Sequence, residues 1–106
     1  VSENGLTARG DGVFEISGSL TFQTVPRFQD QAGNLLQGDA KPVTIDMKGV
    51  TQSDSAGLAL MIEWLQMART AQRELVFAHI PEQIRDLIRV NGLQQMFSLE
   101  NEQNHK

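Results

Sequence analysis

The chain contains no cysteine. That excludes a disulfide framework and a thiolate metal site, and nothing points to an oxidising compartment. Histidine is almost as scarce, with two in the chain, His79 and His105. A hydrolytic triad needs a histidine base held between a nucleophile and an acid. His105 lies in a polar tail, and His79 ends an apolar run just before Pro81, where a structural hydrogen bond is its expected role. The chain also lacks a Gly-x-Ser-x-Gly elbow, a phosphate-cradling glycine loop, a dinucleotide glycine pattern and paired-histidine metal spacing. The expectation is a protein that is not an enzyme, with no metal and no cofactor.

Long apolar runs are missing too. None approaches the ~20 residues needed to cross a bilayer, and the first residues lack the basic and apolar regions of a signal peptide. A cytoplasmic location is expected, with any association at the inner membrane made through a protein partner. Positive charge is in deficit: 9 Lys and Arg stand against 13 Asp and Glu, a formal net charge of -4. The basic residues are scattered, so neither a nucleic-acid backbone nor an anionic membrane surface is an expected partner.

What is present is globular composition, 40% hydrophobic and 21% charged over 106 residues. That length holds one core, so residues 1–106 are expected to form a single domain with loose ends at about 1–4 and 101–106. Gly5 to Arg9 and Val13 to Ile16 read as a hairpin around Gly10-Asp11-Gly12. Thr21 and Thr24 are candidate caps for a helix with Val25, Phe28, Ala32, Leu35 and Leu36 on one face, and Pro26 is tolerated in its first turn. Gln37 to Pro42 closes it.

The chain then reads strand, turn, helix from Val43 to Trp64. Val43, Ile45 and Met47 alternate with Thr44 and Asp46, and the strand is expected to end near Lys48, with Gly49 in the turn. Asp54 or Ser55 is the expected N-cap of a helix running to about Gln72. Leu58, Met61, Ile62, Leu65 and Ala68 form its sheet-facing arc at ~100° per residue. Leu60, Trp64, Met67 and Ala71 form a second apolar stripe. Two explanations are open for it: burial against a neighbouring helix, or a partner-binding surface, since exposed apolar patches mark contacts and Trp and Met are enriched in them. Leu75 to His79 reads as a further strand. Pro81 opens a helix with Ile84, Leu87 and Ile88 inward and Gly92 at its end, and Leu93, Met96, Phe97 and Leu99 suggest a short final strand or a packed tail.

Ile45-Asp-Met-Lys-Gly-Val50 followed by Asp54-Ser55-Ala56-Gly57-Leu58 resembles the signature of STAS domains. That family includes bacterial anti-sigma factor antagonists, the cytosolic tails of sulfate transporters and the small STAS subunit of the Mla-type phospholipid ABC transporter. The resemblance implies an α/β fold, a mixed sheet of four to five strands with three to four helices packed mainly on one side. It also implies that Ser55 is the regulatory, phosphorylatable position and that Asp54, Ser55, Ala56 and Gly57 form the functional motif. Gly18-Ser19-Leu20 resembles the family's turn into its first helix, and Gly57-Leu58-Ala59-Leu60 resembles the Mla-type subunits.

Two functions follow from the resemblance. One is a non-enzymatic accessory subunit that binds a cytosolic ABC-transporter ATPase through Ser55, Leu60, Trp64 and Met67. The other is an anti-sigma factor antagonist phosphorylated on Ser55 by a kinase that doubles as the anti-sigma factor. Ala56, where the phosphorylated antagonists carry a second hydroxyl, favours the first. A third class, an anion or nucleotide sensor at the helix amides, has no side chains that select a ligand.

Overall fold

The computed structural model describes residues 5–31, 36 and 42–97. Its elements are β1 (Gly5–Gly10), β2 (Val13–Leu20), α1 (Val25–Gln31), β3 (Val43–Ser53), α2 (Ser55–Thr70), β4 (Leu75–Ala78) and α3 (Glu82–Val90). The strands form one sheet in the order β1-β2-β3-β4. β1 pairs antiparallel with β2, while β2–β3 and β3–β4 are parallel, so the α/β fold with a mixed sheet is as the pattern required. The expected loose ends, Ala32, Leu35, the closing segment at 37–41 and Leu99 lie outside the described residues.

Two parallel crossovers, β2-α1-β3 and β3-α2-β4, advance in the same direction across the sheet. Because such connections are right-handed almost without exception, both helices come to the same face. Gln29 Nε2 of α1 accordingly donates to Glu63 Oε1 of α2 at 3.1 Å. The register places Phe14, Ile45 and Phe77 in one row across β2, β3 and β4. Val43, Ile45 and Met47 are at most 1% exposed, and they join Leu58, Met61 and Trp64 of α2 and Ile84 and Ile88 of α3 in one core. Side chains alternate across a strand, so the intervening Asp46 belongs to the opposite face.

β3 does not stop near Lys48; it continues to Ser53. The reason lies at Gly49. A Cβ there would stand 3.0 Å from Ile16 O and 3.3 Å from Ser17 Oγ, so this glycine permits close backbone approach within the sheet and is not a turn. The β2–β3 register slips on either side of this region, between Glu15 and Ser17 and between Gly18 and Ser19. Bulges of this kind keep two strands paired while twisting them.

α2 ends at Thr70, two residues before the expected Gln72, and its buried face also differs from the expectation. Gly57, Leu58, Leu60, Met61, Trp64 and Ala68 are its buried residues, whereas Ile62 and Leu65 are half-buried. Leu60 and Trp64, each 1% exposed, are core side chains and not a surface stripe. The physical reason is angular: at ~100° per residue, Met61 and Trp64 lie only about 60° apart, so the two proposed stripes adjoin. The seam between them, Gly57-Met61-Trp64-Ala68, is the centre of the buried arc. Of the two explanations for the second stripe, burial holds for these residues.

α1 is short but anchored. Thr24 Oγ1 accepts from Thr21 N at 2.9 Å and donates to Ser19 O at 2.8 Å, and Phe28 is fully buried. At the other end of the chain, no strand forms over Leu93 to Phe97. Turns carry the backbone, and Phe97 tucks against Phe77 with ring centroids 5.9 Å apart.

Candidate partner-binding site

The amino end of α2 is built by one carboxylate. Asp54, with φ -146° and ψ -168°, is the N-cap, and its Oδ1 accepts from Ala56 N at 2.9 Å. A cap of this type satisfies an amide that the helix leaves unpaired. Asp54 Oδ2 accepts from Phe22 N at 3.1 Å, which ties the β2–α1 loop to the helix start. Asp54 N donates to Leu20 O at 3.4 Å, so strand, loop and helix meet at one residue.

Ser55 is the first residue of α2 and is exposed. Ala56 is half-buried and Gly57 buried. The Gly57 position is close-packed: a Cβ would lie 2.8 Å from Leu20 O and 3.1 Å from Leu20 Cγ. The four motif residues thus divide into a cap, an accessible hydroxyl, a half-buried alanine and a glycine that lets the helix sit on β2. Just before them, Ser53 Oγ donates to Gln83 Oε1 at 3.3 Å and links the end of β3 to α3.

Of the residues expected to bind a partner, Ser55 alone lies at this end and is accessible. Leu60 and Trp64 are sealed in the core and cannot touch a partner while the chain is folded. Met67 is half-buried, ~18 Å further along the helix at ~1.5 Å per residue. It lines a groove of about 430 Å³ with Leu36, Glu63, Gln66, Thr70 and Ala71. The continuous ridge from Ser55 to Met67 therefore does not exist as a surface.

In its place stands a residue the sequence reading passed over. Phe22 is 79% exposed in the loop tied to Asp54. It borders a depression of about 520 Å³ lined by Ser19, Thr21, Gln23, Thr24, Gln52 and Asp54, polar groups with one charge among them. Local pattern hides it: Phe22 stands two residues after the buried Leu20 and three before Val25, in step with the apolar periods of both strand and helix.

On the opposite face of the sheet Asp46 is 4% exposed and covered by two side chains. Arg9 Nη2 donates to Asp46 Oδ2 at 2.9 Å, and His79 Nδ1 lies 3.0 Å from Oδ1, which also accepts from Lys48 N at 2.9 Å. Burial by itself would push this carboxyl up; the Lys48 amide, His79 and Arg9 more than offset it, and the group is held below the ordinary value of 3.8. His79, expected to make a structural hydrogen bond, makes it here. Among the described residues no cluster of three or more potential metal ligands occurs, and no helix is long and apolar enough to cross a membrane.

A family model described as "Mlab, STAS domain" matches residues 6–100. The chain is also similar to the anti-sigma-B factor antagonist of Staphylococcus aureus, for example in strains NCTC 8325 / PS 47, COL and Mu50 / ATCC 700699. Each is 23% identical over 82 residues, covering 77% of this chain and 76% of the relative.

Proposed function

The chain belongs to the STAS domain family, and from that premise we propose that it is a non-enzymatic regulatory subunit that binds the cytosolic ATPase of an Mla-type phospholipid ABC transporter. The observation that carries this reading is the exposed Ser55 on a helix start fixed to its neighbouring strand and loop by Asp54. A surface pinned on three sides loses little conformational freedom on docking, so more of the contact energy appears as affinity. The Mla-type description of the model spanning residues 6–100 supports the transporter branch, as does Ala56 in place of a second hydroxyl.

The same serine suits a switch. Substituting a carboxylate or adding a phosphate at Ser55 places a hydrated anion beside Asp54, and any partner atom packed there must then desolvate it. Titrating the purified cognate ATPase with wild-type protein and with Ser55→Asp tests the site. About tenfold weaker binding is expected for the variant, a difference of ~1.4 kcal/mol. Equal affinity for the two proteins would remove Ser55 from the interface.

A second reading is favoured by the name of the staphylococcal relatives: antagonism of an anti-sigma factor, with Ser55 phosphorylated by that partner acting as kinase. Helix-start amides stabilise a phosphate on Ser55, and the added charge releases the kinase. Incubation with a cognate kinase and ATP, followed by intact-mass measurement, separates the two. Stoichiometric phosphate lost in Ser55→Ala favours the sigma pathway, and an unmodified mass favours the transporter.

A further inference from the structure

We infer that Phe22 is the apolar anchor of the partner interface, an aromatic knob that enters a socket on the ATPase next to the contact made by Ser55. This rests on the docking reading above and adds the residue that supplies its affinity and partner choice.

Single exposed apolar side chains are common and need no function. Among the described residues the other exposed large apolar side chains are Val90, Val76 and Met96, the last 37% exposed in the turns after α3, and Phe22 differs from them by how it is held. Val90 is 83% exposed at the last residue of α3, and Val76 is 45% exposed on the four-residue strand β4, which pairs with β3 alone. Phe22 is instead fixed through its own amide to Asp54 Oδ2, the carboxylate whose other oxygen caps α2. On the other side Thr24 bonds both Thr21 N and Ser19 O. The backbone bearing this ring is as well secured as the helix start itself, while the ring is 79% exposed. An aromatic side chain has few torsions to freeze, and on a fixed backbone it buries a large area at small entropic cost. Those are the properties of residues that dominate interface energetics.

The surroundings specify the partner's chemistry. Thr21, Gln23, Thr24 and Gln52 are uncharged, and both oxygens of Asp54 are already engaged. Such a rim excludes water through hydrogen bonds, and its one charge, the Asp54 carboxylate, repels an anionic ligand. The occupant is therefore a folded protein presenting an apolar socket edged by neutral donors and acceptors, which a nucleic acid or an anionic lipid surface does not provide. A side-chain amide of the partner, inserted into the 520 Å³ depression beside the ring, would complete the contact.

The test uses the full chain and the purified cognate ATPase, with affinity measured by calorimetry for wild type, Phe22→Ala, Ser55→Asp and Val90→Ala. Phe22→Ala is expected to bind at least about tenfold more weakly, with an unchanged melting temperature. Val90→Ala should bind as wild type. If Ser55→Asp weakens binding and Phe22→Ala does not, the anchor is refuted and the docking site stands. If neither variant changes affinity, both are refuted. A fall in melting temperature for Phe22→Ala would show that the ring packs on its own chain, and it overturns the inference as well.

Discussion

Replacing Gly57 by alanine sets two effects of known size against each other. In an ordinary helix the change stabilises, because glycine is worse than alanine by about 1 kcal/mol in a helix interior. Here the new methyl group would meet Leu20 O at 2.8 Å and Leu20 Cγ and Cδ2 at 3.1 and 3.2 Å. The nearest atom is backbone, held in a strand, and that carbonyl also accepts from Asp54 N. Relief requires α2 to lift from β2, and overpacking of a close-packed site costs about 1–3 kcal/mol. Set against the helix gain of about 1 kcal/mol, the net expectation is a loss of up to about 2 kcal/mol, a fall of up to roughly 8–15 °C in melting temperature for a chain of this size. Urea and thermal unfolding measure it directly. Because Asp54 holds the Phe22 loop, lifting the helix should also quicken amide exchange at Phe22. An alanine variant more stable than wild type would refute the account of Gly57 as a close-packing residue.

Trp64→Ala empties a fully buried site and should cost about 3–5 kcal/mol, enough to bring a marginally stable fold near its unfolding midpoint; near-wild-type stability would mean the side chain is not core. Asp54→Ala removes a cap and the bond to Phe22 N together, with an expected loss of about 1–2 kcal/mol by urea unfolding and faster exchange of the Phe22 and Ala56 amides. Asp46 carries a pH signature: its carboxyl is held lower in the folded chain than in the unfolded one, so it adds stability above its ordinary value of 3.8, and that contribution is lost as pH falls through the lowered folded value. Asp46→Asn should therefore be less stable at neutral pH, and the gap in urea midpoints should narrow below about pH 4. A gap that stays constant down to about pH 2.5 would contradict the Arg9–Asp46–His79 arrangement.

Much of this molecule is visible in its residue order. The strand alternation at Val43, Ile45 and Met47, a cap at Asp54 or Ser55 and the apolar period of the following helix are local consequences of backbone geometry, and local rules suffice to read them. Pairing was harder to see. β3 extends past Lys48 only because β2 lies alongside it through Leu20, a partnership between residues about 30 positions apart. Asp46 reads as a solvent-facing strand residue, yet Arg9 from β1 and His79 after β4 converge over it, and no local pattern announces that.

The helix of the motif shows the division most clearly. Sequence by itself determined that residues after Ser55 form a helix, that Asp54 or Ser55 caps it and that its apolar residues cover more than one narrow stripe; the structure gives the cap to Asp54. The tertiary structure alone decided which part of that broad arc is covered, burying Leu60 and Trp64 beside Met61 and leaving Ser55 and Phe22 outside. Periodicity specifies angles around an axis, whereas burial depends on where α1, α3 and the sheet stand around it. That placement comes from crossover handedness and strand register, properties of contacts between distant residues.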